Sequence, residues 1–346
     1  MAPAACPADL RSTERSPCAA LDALVGGTPL LEIRLRLEGR PVRVFAKYES
    51  MNMTGSVKDR MAAHVLRRAY ARGELRPGDL IAECSSGNTG IAFAALGKAL
   101  GHPVRIFMPD WMSPERKLLI EGFGAEVVGI SREQGGFLGG VEAARRCARE
   151  NERVFLPRQF DNADNVEAHE LGTGEEIVDQ LARLGLRADA FVAGVGTGGT
   201  VMGVGRRLRR GNPRCRVHPL EPASSPTLRT GHCVGRHRIQ GISDEFVPSI
   251  LHLDELDRIV DAHDGDSILM AQSMARRLGL AVGISSGANV IGAIQLAKEL
   301  GPEAVVVTVL PDSNKKYLST DLCRVEPVRE GYWTPRVELE SFHALR

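Results

Sequence analysis

The chain has 346 residues, of which 43% are hydrophobic and 25% are charged, and its formal net charge is +1. This length allows two modest lobes, because a single hydrophobic core stops growing at roughly 250–300 residues. The balanced charge excludes binding to nucleic acid or to an anionic membrane surface through bulk electrostatics.

The cysteines and the apolar segments indicate a soluble protein of a reducing compartment. The seven cysteines are odd in number and form no CxxC pair, which argues against a disulfide framework. No apolar run reaches the roughly 18–20 residues that cross a bilayer. The first twenty residues lack the apolar core of a signal peptide. We therefore expect a cytoplasmic protein with a flexible tail at residues 1–20.

Strand-like and helix-like segments alternate along most of the chain. The predicted strands lie at 41–49, 79–84, 102–108, 126–130, 153–156, 189–193, 215–221 and 304–310. The predicted helices lie at 56–73, in a segment ending at 100, and at 113–121, 137–150, 165–184, 198–210, 264–278 and 285–300. This alternation predicts an α/β fold of parallel sheets covered by helices. Residues 324–346 have no clear period and are predicted to form an extension.

A lysine stands at the first predicted junction between a loop and a helix, in the run Thr54-Gly55-Ser56-Val57-Lys58-Asp59-Arg60. In the first turn of a helix, the dipole disfavours the protonated form of a lysine. A neutral amine is what a Schiff-base lysine needs. The alternative interpretation is a surface lysine at a helix start that Ser56 caps.

Two glycine-rich turns follow predicted strands and open predicted helices. One is Cys84-Ser85-Ser86-Gly87-Asn88-Thr89-Gly90, and the other is Gly194-Val195-Gly196-Thr197-Gly198-Gly199-Thr200. Free N–H groups at a helix start can hold a carboxylate or a phosphate, and glycines allow close backbone approach. The second turn is also similar to a dinucleotide fingerprint, with Glu221 as the ribose acid. These turns therefore indicate phosphate binding but leave the cofactor open.

A fourth segment, Gly283-Ile284-Ser285-Ser286-Gly287, fits the GxSxG pattern of serine hydrolases. Asp312 and His343 follow in the chain order of a hydrolase triad. Against this interpretation, the preceding segment is short for a central strand, and His343 lies close to the end of the chain.

Taken together, these segments resemble the fold-type-II pyridoxal-phosphate enzymes of the cysteine synthase and cystathionine β-synthase group. The resemblance covers residues 21–322. It rests on GGTPL at 26–30, GSVKDR at 55–60, SSGNTG at 85–90, QFDN at 159–162, GTGGT at 196–200, QGI at 240–242 and YLST at 317–320. It implies two lobes, each a twisted, mostly parallel sheet flanked by helices, with the cofactor in the cleft between them. The smaller lobe is expected at 39–163, the larger at 21–38 and 164–325, and an extension at 326–346.

The resemblance also implies a role for each matching residue. Lys58 would form a Schiff base with pyridoxal 5′-phosphate and then act as the base at Cα. Asn88 would bond the phenolic oxygen of the cofactor, and Ser285 would face its pyridine nitrogen. The phosphate would be held by Gly196, Thr197, Gly198, Gly199 and Thr200. The substrate carboxylate would be bound by Ser85, Ser86, Gly87, Thr89 and Gln159, and Gly241 would line the entrance. No metal is expected.

The implied reaction is β-replacement through an aminoacrylate, with O-acetyl-L-serine and sulfide giving L-cysteine and acetate. A cysteine desulfhydrase or lyase, a cystathionine β-synthase-type reaction and an O-phosphoserine-dependent substitution stay open. The run Ser243-Asp244-Glu245 at the entrance is acidic for a cysteine synthase, and would repel an anionic second substrate or recruit a cationic one. Met53 and Thr54 stand where the family usually has proline and glycine or alanine.

More remote alternatives are an NAD-dependent oxidoreductase and a non-catalytic partner protein. The family further implies a homodimer that acts on small amino acids, without nucleic-acid or membrane partners.

Overall fold

The computed structural model describes residues 17–242 and 245–346. Of the predicted flexible tail, only residues 17–20 are described, and they belong to a short 3-10 helix, Pro17–Leu21. Of the acidic run at the entrance, Ser243 and Asp244 lie outside the described residues, whereas Glu245 is described.

The larger of two sheets has seven strands. They are β1 (Leu30–Leu37), β2 (Arg40–Tyr48), β7 (Ala190–Gly194), β8 (Arg216–Pro222), β9 (Val260–Ala262), β10 (Val306–Leu310) and β11 (Val337–Leu345). Their order is β11-β1-β2-β10-β7-β8-β9. The pairs from β2 to β9 are parallel, and β1 is antiparallel to both of its neighbours. The central strand β10 is buried along its whole length, as expected for a parallel strand covered on both faces.

The smaller sheet has four parallel strands in the order β5-β4-β3-β6. They are β3 (Leu80–Cys84), β4 (Val104–Pro109), β5 (Glu126–Ile130) and β6 (Val154–Phe155). Helices cover both sheets: α1 (Lys58–Arg72), α2 (Asn88–Ala99), α3 (Pro114–Gly122), α4 (Gly136–Glu150), α5 (Ala163–Ala168), α6 (Glu175–Ala182), α7 (Gly199–Gly211), α8 (Thr227–Thr230), α9 (Asp264–Leu278) and α10 (Ile284–Leu300). The predicted α/β fold with two mostly parallel sheets is confirmed.

The predicted boundaries of the lobes differ from the observed strand pairing at both ends. The strand β2 was expected in the smaller lobe, but it pairs with β1 and with β10 of the larger sheet. The predicted extension 326–346 contains β11, which pairs with β1 along Leu30–Leu37. Only Leu339 of β11 is buried, so the alternation of apolar and polar residues at 337–340 does not correspond to a buried face.

The long helix predicted at 165–184 is three segments. A π-helical stretch, His169–Gly174, separates α5 from α6. The helix α7 packs closely against this stretch, since a Cβ on Gly203 would lie 2.7 Å from the backbone nitrogen of Glu170. Such π turns are frequent near functional sites. Within the described ranges, none of the helices combines the length and apolar character that a membrane span requires.

Candidate functional site

One cleft brings together residues that follow strands of both sheets. Its wall includes the loops that follow β3, β7 and β10, and ligands bind at such carboxyl ends of parallel strands. Every predicted site residue except Gly199 lines this cleft: Lys58, Ser85, Ser86, Gly87, Asn88, Thr89, Gln159, Gly196, Thr197, Gly198, Thr200, Gly241 and Ser285. Gly199 is the first residue of α7, directly behind Gly198.

Lys58 is the first residue of α1. The residue at the N-cap position is Val57, and Ser56 instead accepts a hydrogen bond at 3.3 Å from the backbone N–H of Lys58 through its Oγ. The buried carboxylate of Asp59 accepts hydrogen bonds from the N–H and the hydroxyl of Thr54, at 2.8 and 2.5 Å. Thr54, which departs from the family pattern, therefore fixes the loop before Lys58.

The side-chain amide of Asn88 is held at both ends. Its Nδ2 donates to Asp312 at 2.7 Å, and its Oδ1 accepts from the buried Lys316 at 2.8 Å. The hydroxyl of Tyr317 donates to the same carboxylate oxygen of Asp312 at 2.7 Å. Burial lowers the pKa of Lys316 and raises that of Tyr317. These contacts fix the orientation of the Asn88 amide, and one N–H of its Nδ2 remains available for a ligand.

The loop that follows β3 is held by its own side chains. Ser85 accepts hydrogen bonds from the N–H groups of Gly87 and Gly90, at 3.1 and 2.9 Å. Thr89 donates to Gln159 at 2.6 Å, and Gln159 donates to the carbonyl of Cys84 at 2.8 Å. The predicted carboxylate-binding residues thus form one connected unit.

The buried carboxylate of Glu83 supports this unit from behind. It accepts hydrogen bonds from the backbone N–H groups of Cys84 and Gln159, at 2.9 and 3.1 Å. It also bonds the backbone of Arg158, whose φ of +54° is unusual for a residue other than glycine. Burial raises the pKa of Glu83 to about 7, against a usual value of 4.5.

We expect Glu83 to make the stability depend on pH. Between about pH 4.5 and 7 the folded chain holds a proton that the unfolded chain has released, so the free energy of unfolding falls as pH rises through this window. In the wild type this decrease in the free energy of unfolding is on the order of a few kcal/mol. Most of the decrease should be absent in Glu83→Gln. Denaturant unfolding at pH 5, 6 and 7.5 measures it, with the exposed Glu150→Gln as control. Equal pH dependence in wild type and Glu83→Gln would refute the assignment.

The loop that follows β7 is a glycine-rich cradle that packs against the loop at Gly241. A Cβ on Gly196 would lie 2.4 Å from the carbonyl oxygen of Gly241, and Gly198 has φ +90° at the N-cap of α7. Thr197 accepts a hydrogen bond at 2.9 Å from the buried amide of Asn165. This cradle at a helix N-terminus fits a phosphate group.

His169, from the π-helical stretch, lies behind the cradle. Its Nε2 is 3.4 Å from the Oγ1 of Thr200, and its Nδ1 is 2.9 Å from the Oγ1 of Thr173. Burial lowers the pKa of His169 well below its usual value. The neutral ring can therefore orient the Thr200 hydroxyl without adding charge to the site.

The geometry does not support the two other catalytic interpretations. His343 lies on the edge strand β11, opposite Glu32 of β1, and does not line the cleft with Ser285. Glu221 is buried, where it accepts a hydrogen bond from the N–H of Leu228 and lies 3.5 Å from Arg229. The hydrolase triad is therefore not formed, and the predicted ribose acid is already bonded within the protein.

Several residues that shape the site were not predicted from the sequence as part of it: Asp59, Glu83, Arg116, Asp312 in its contact with Asn88, Lys316 and His169. Asp312 had a usable signal, because it follows the buried strand β10 at the same sheet edge as the glycine-rich turn. Arg116 had no usable signal in the sequence, since an arginine on a polar helix is normally expected to be exposed.

The family model described as "Pyridoxal-phosphate dependent enzyme" matches residues 21–312. A cysteine synthase of Staphylococcus aureus is 40% identical over 299 residues, which cover 86% of this chain and 95% of that protein. A probable cysteine synthase of Bacillus subtilis is also 40% identical, over 86% of this chain and 96% of that protein.

Solved structures agree with this match. A hydrogen sulfide-producing enzyme of Fusobacterium nucleatum is 53% identical, with a TM-score of 0.93 over 95% of this chain and 98% of that chain. An O-ureido-L-serine synthase is 36% identical, with a TM-score of 0.81 over 94% of this chain and 100% of that chain. The chain belongs to the pyridoxal-phosphate-dependent enzymes, in their cysteine synthase-like, β-substituting group.

Proposed function

We propose that the protein is a cysteine synthase, which converts O-acetyl-L-serine and sulfide into L-cysteine and acetate. The observation that carries this proposal is that Lys58 shares one cleft with the Ser85–Thr89 loop and the glycine cradle at Gly196–Thr200. The relatives named cysteine synthase, at 40% identity, support the same reaction. Acetate leaves Cβ of the amino acid, and hydrosulfide adds to the same carbon.

Different residues of the cleft would hold different parts of the cofactor. Lys58 would anchor it covalently, and the backbone and hydroxyls of Gly196–Thr200 would hold its phosphate. Asn88 would bond its phenolic oxygen, and Ser285 would face its ring nitrogen. Bound there, pyridoxal phosphate supplies the electron sink that Cα deprotonation and departure of the β-substituent require. Because the Ser285 hydroxyl is neutral, it does not enforce protonation of the ring nitrogen, which favours elimination over transamination.

The substrate side of the cleft positions the amino acid. The Ser85–Thr89 loop and Gln159 would bind its α-carboxylate, and the Lys58 amine would take the Cα proton. The position of Lys58 at the first turn of α1 favours the neutral amine that this step needs.

Release of sulfide from cysteine is the second candidate function. The hydrogen sulfide-producing enzyme at 53% identity is the observation that favours it. The wider chamber outside the cleft is lined by Glu245 but also by Arg132 and Arg236, so its charge favours neither function over the other. Both functions use the same first half-reaction and differ in the leaving group and nucleophile.

The near-visible absorption of the purified holoenzyme tests the proposal. The cofactor band should shift when O-acetyl-L-serine is added and return when sulfide follows. A band that ignores O-acetyl-L-serine but shifts with L-cysteine would replace the first function by the second.

The proposal extends to a homodimer in a reducing, cytoplasmic compartment. Large apolar side chains are exposed at Met51, Met53, Leu118, Leu119 and Leu318. The first four of these line one surface groove, and we propose that a second copy of the chain covers it. The seven cysteines of the chain form no CxxC pair, which suits a reducing compartment. Sedimentation of the holoenzyme as a monomer would overturn the dimer.

A further inference from the structure

Arg116 is a buried cation without an acidic partner. It lies on α3, and only 3% of its surface is exposed. Among the residues that the structure describes, no carboxylate oxygen lies within 4.0 Å of its nitrogens. Its Nη1 donates to the carbonyl of Ser86 at 3.3 Å, and its guanidinium carbon lies 5.1 Å from the centre of the Tyr317 ring. Its Nε is buried without a hydrogen-bond partner.

An unpaired buried charge is costly, so its retention requires an explanation. The guanidinium packs directly on the backbone of Gly87, because a Cβ at that position would lie 2.9 Å from Nε and 3.2 Å from Cζ. A side chain at residue 87 would therefore displace Arg116. Gly87 is therefore the residue of the Ser85–Thr89 loop that allows the Arg116 guanidinium to pack against the loop backbone.

The charges of the cleft show what Arg116 can bind. Lys58 and Arg116 are the charged side chains among the described residues that line it, and no acid is among them. Lys58 is occupied by the cofactor. The contacts of Arg116 are with the Ser85–Thr89 loop and Tyr317, and not with the Gly196–Thr200 cradle that fits the phosphate. The remaining fixed positive charge therefore lies on the side of the cleft that holds the amino acid.

We propose that Arg116 is a substrate-binding residue whose guanidinium pairs with the α-carboxylate of the amino acid held at the Ser85–Thr89 loop. This inference rests on the proposed function, since it assumes an amino-acid substrate. The other groups assigned to the carboxylate are neutral hydroxyls, amides and backbone N–H groups. A guanidinium adds a charge-assisted hydrogen bond, which selects an amino acid over an uncharged amide analogue.

The ligand test compares L-alanine, which has no leaving group, with L-alaninamide, which has no carboxylate. Calorimetric titration of the holoenzyme gives the affinity for each. Arg116→Gln should weaken alanine binding about 10- to 100-fold and change alaninamide binding less than about threefold. Arg116→Lys should recover part of the preference, because it keeps the charge but loses the fork geometry.

Lys117→Gln is the matched control. It removes one positive charge from the same helix, but its side chain is 59% exposed, and it should keep the wild-type preference. Thermal unfolding and the cofactor band of each variant report whether it is folded and loaded. If Arg116→Gln is too unstable to titrate, Arg116→Lys tests the proposal instead. Arg116→Lys must also lower the preference for alanine over alaninamide, relative to wild type.

An unchanged ratio of the two affinities, or an equal loss for both ligands, would overturn the proposal. An equal loss of affinity for O-acetyl-L-serine and for its amide, with alanine binding unchanged, would place the guanidinium at the leaving group instead, and would also overturn it. Failure of the proposed function is recognised separately. In that case the cofactor band does not respond to O-acetyl-L-serine, although alanine still binds in preference to alaninamide.

Discussion

Lys58→Ala should abolish turnover, with a loss of at least about a thousandfold, and should remove the near-visible band that the covalently held cofactor gives. Lys58 is the lysine among the described residues that line the cleft, and it opens α1 between the two glycine-rich loops. No other amine there can take its place as both covalent anchor and base. Absorption of the reconstituted variant and a turnover assay measure the two effects.

Lys98→Ala is the control for the loss of a lysine. It removes an exposed amine from the last turn of α2 and should leave both the band and the turnover unchanged. A Lys58→Ala protein that keeps a shifted visible band and measurable turnover would show that another group holds the cofactor. Lys316, whose Nζ lies 2.8 Å from Asn88, would then be the first amine to examine.

Gly196→Ala should leave the protein folded but weaken its affinity for pyridoxal phosphate by about tenfold or more. The added Cβ would lie 2.4 Å from the carbonyl oxygen of Gly241, so the two loops must separate. That movement displaces the N–H groups that face the phosphate, and each lost hydrogen bond to a charged group costs about 1.5–3 kcal/mol. Equilibrium dialysis of the cofactor measures the affinity.

Gly211→Ala is the matched control at the opposite end of the same helix. Its Cβ would meet only Arg207, at an ordinary contact distance of 3.8 Å. We expect wild-type cofactor affinity in this variant. If Gly196→Ala also retains the cofactor as tightly as wild type, the loop that follows β7 is not the phosphate site.

The fold could be predicted where the chain has strong local patterns. Buried parallel strands such as Val306–Leu310 are continuous apolar runs, and helices such as Asp264–Leu278 end at a glycine. The glycine-rich turns could be recognised in the sequence because each follows a predicted strand and precedes a predicted helix. The residues of these turns do line one cleft.

The remaining parts of the fold depend on contacts between distant segments. β11 is a strand because β1 offers it a partner about 300 residues earlier in the chain, and its own residues are mostly exposed. The π-helical stretch at His169–Gly174 lies in close contact with α7, and the helical period of the segment itself continues through it. The sequence has no local signal for the π-helical stretch, and the alternation at 337–340 does not reveal which strand β11 pairs with.

The site residues that escaped prediction are charged groups whose burial only the tertiary structure reveals. Glu83 reads as a polar position in a strand, yet it is buried and bonds the backbone before Gln159. Arg116 lies on a short helix with charged neighbours, yet its guanidinium is buried against Gly87. Burial decides which groups such a charged side chain contacts, and the local sequence does not show whether the side chain is buried.

The most direct test of the account is the yield of L-cysteine when the holoenzyme is given O-acetyl-L-serine and sulfide. The account predicts one L-cysteine and one acetate for each O-acetyl-L-serine consumed, with no cysteine formed by Lys58→Ala under the same conditions. Consumption of O-acetyl-L-serine without cysteine formation, or the absence of any reaction by a protein that holds the cofactor, would contradict it.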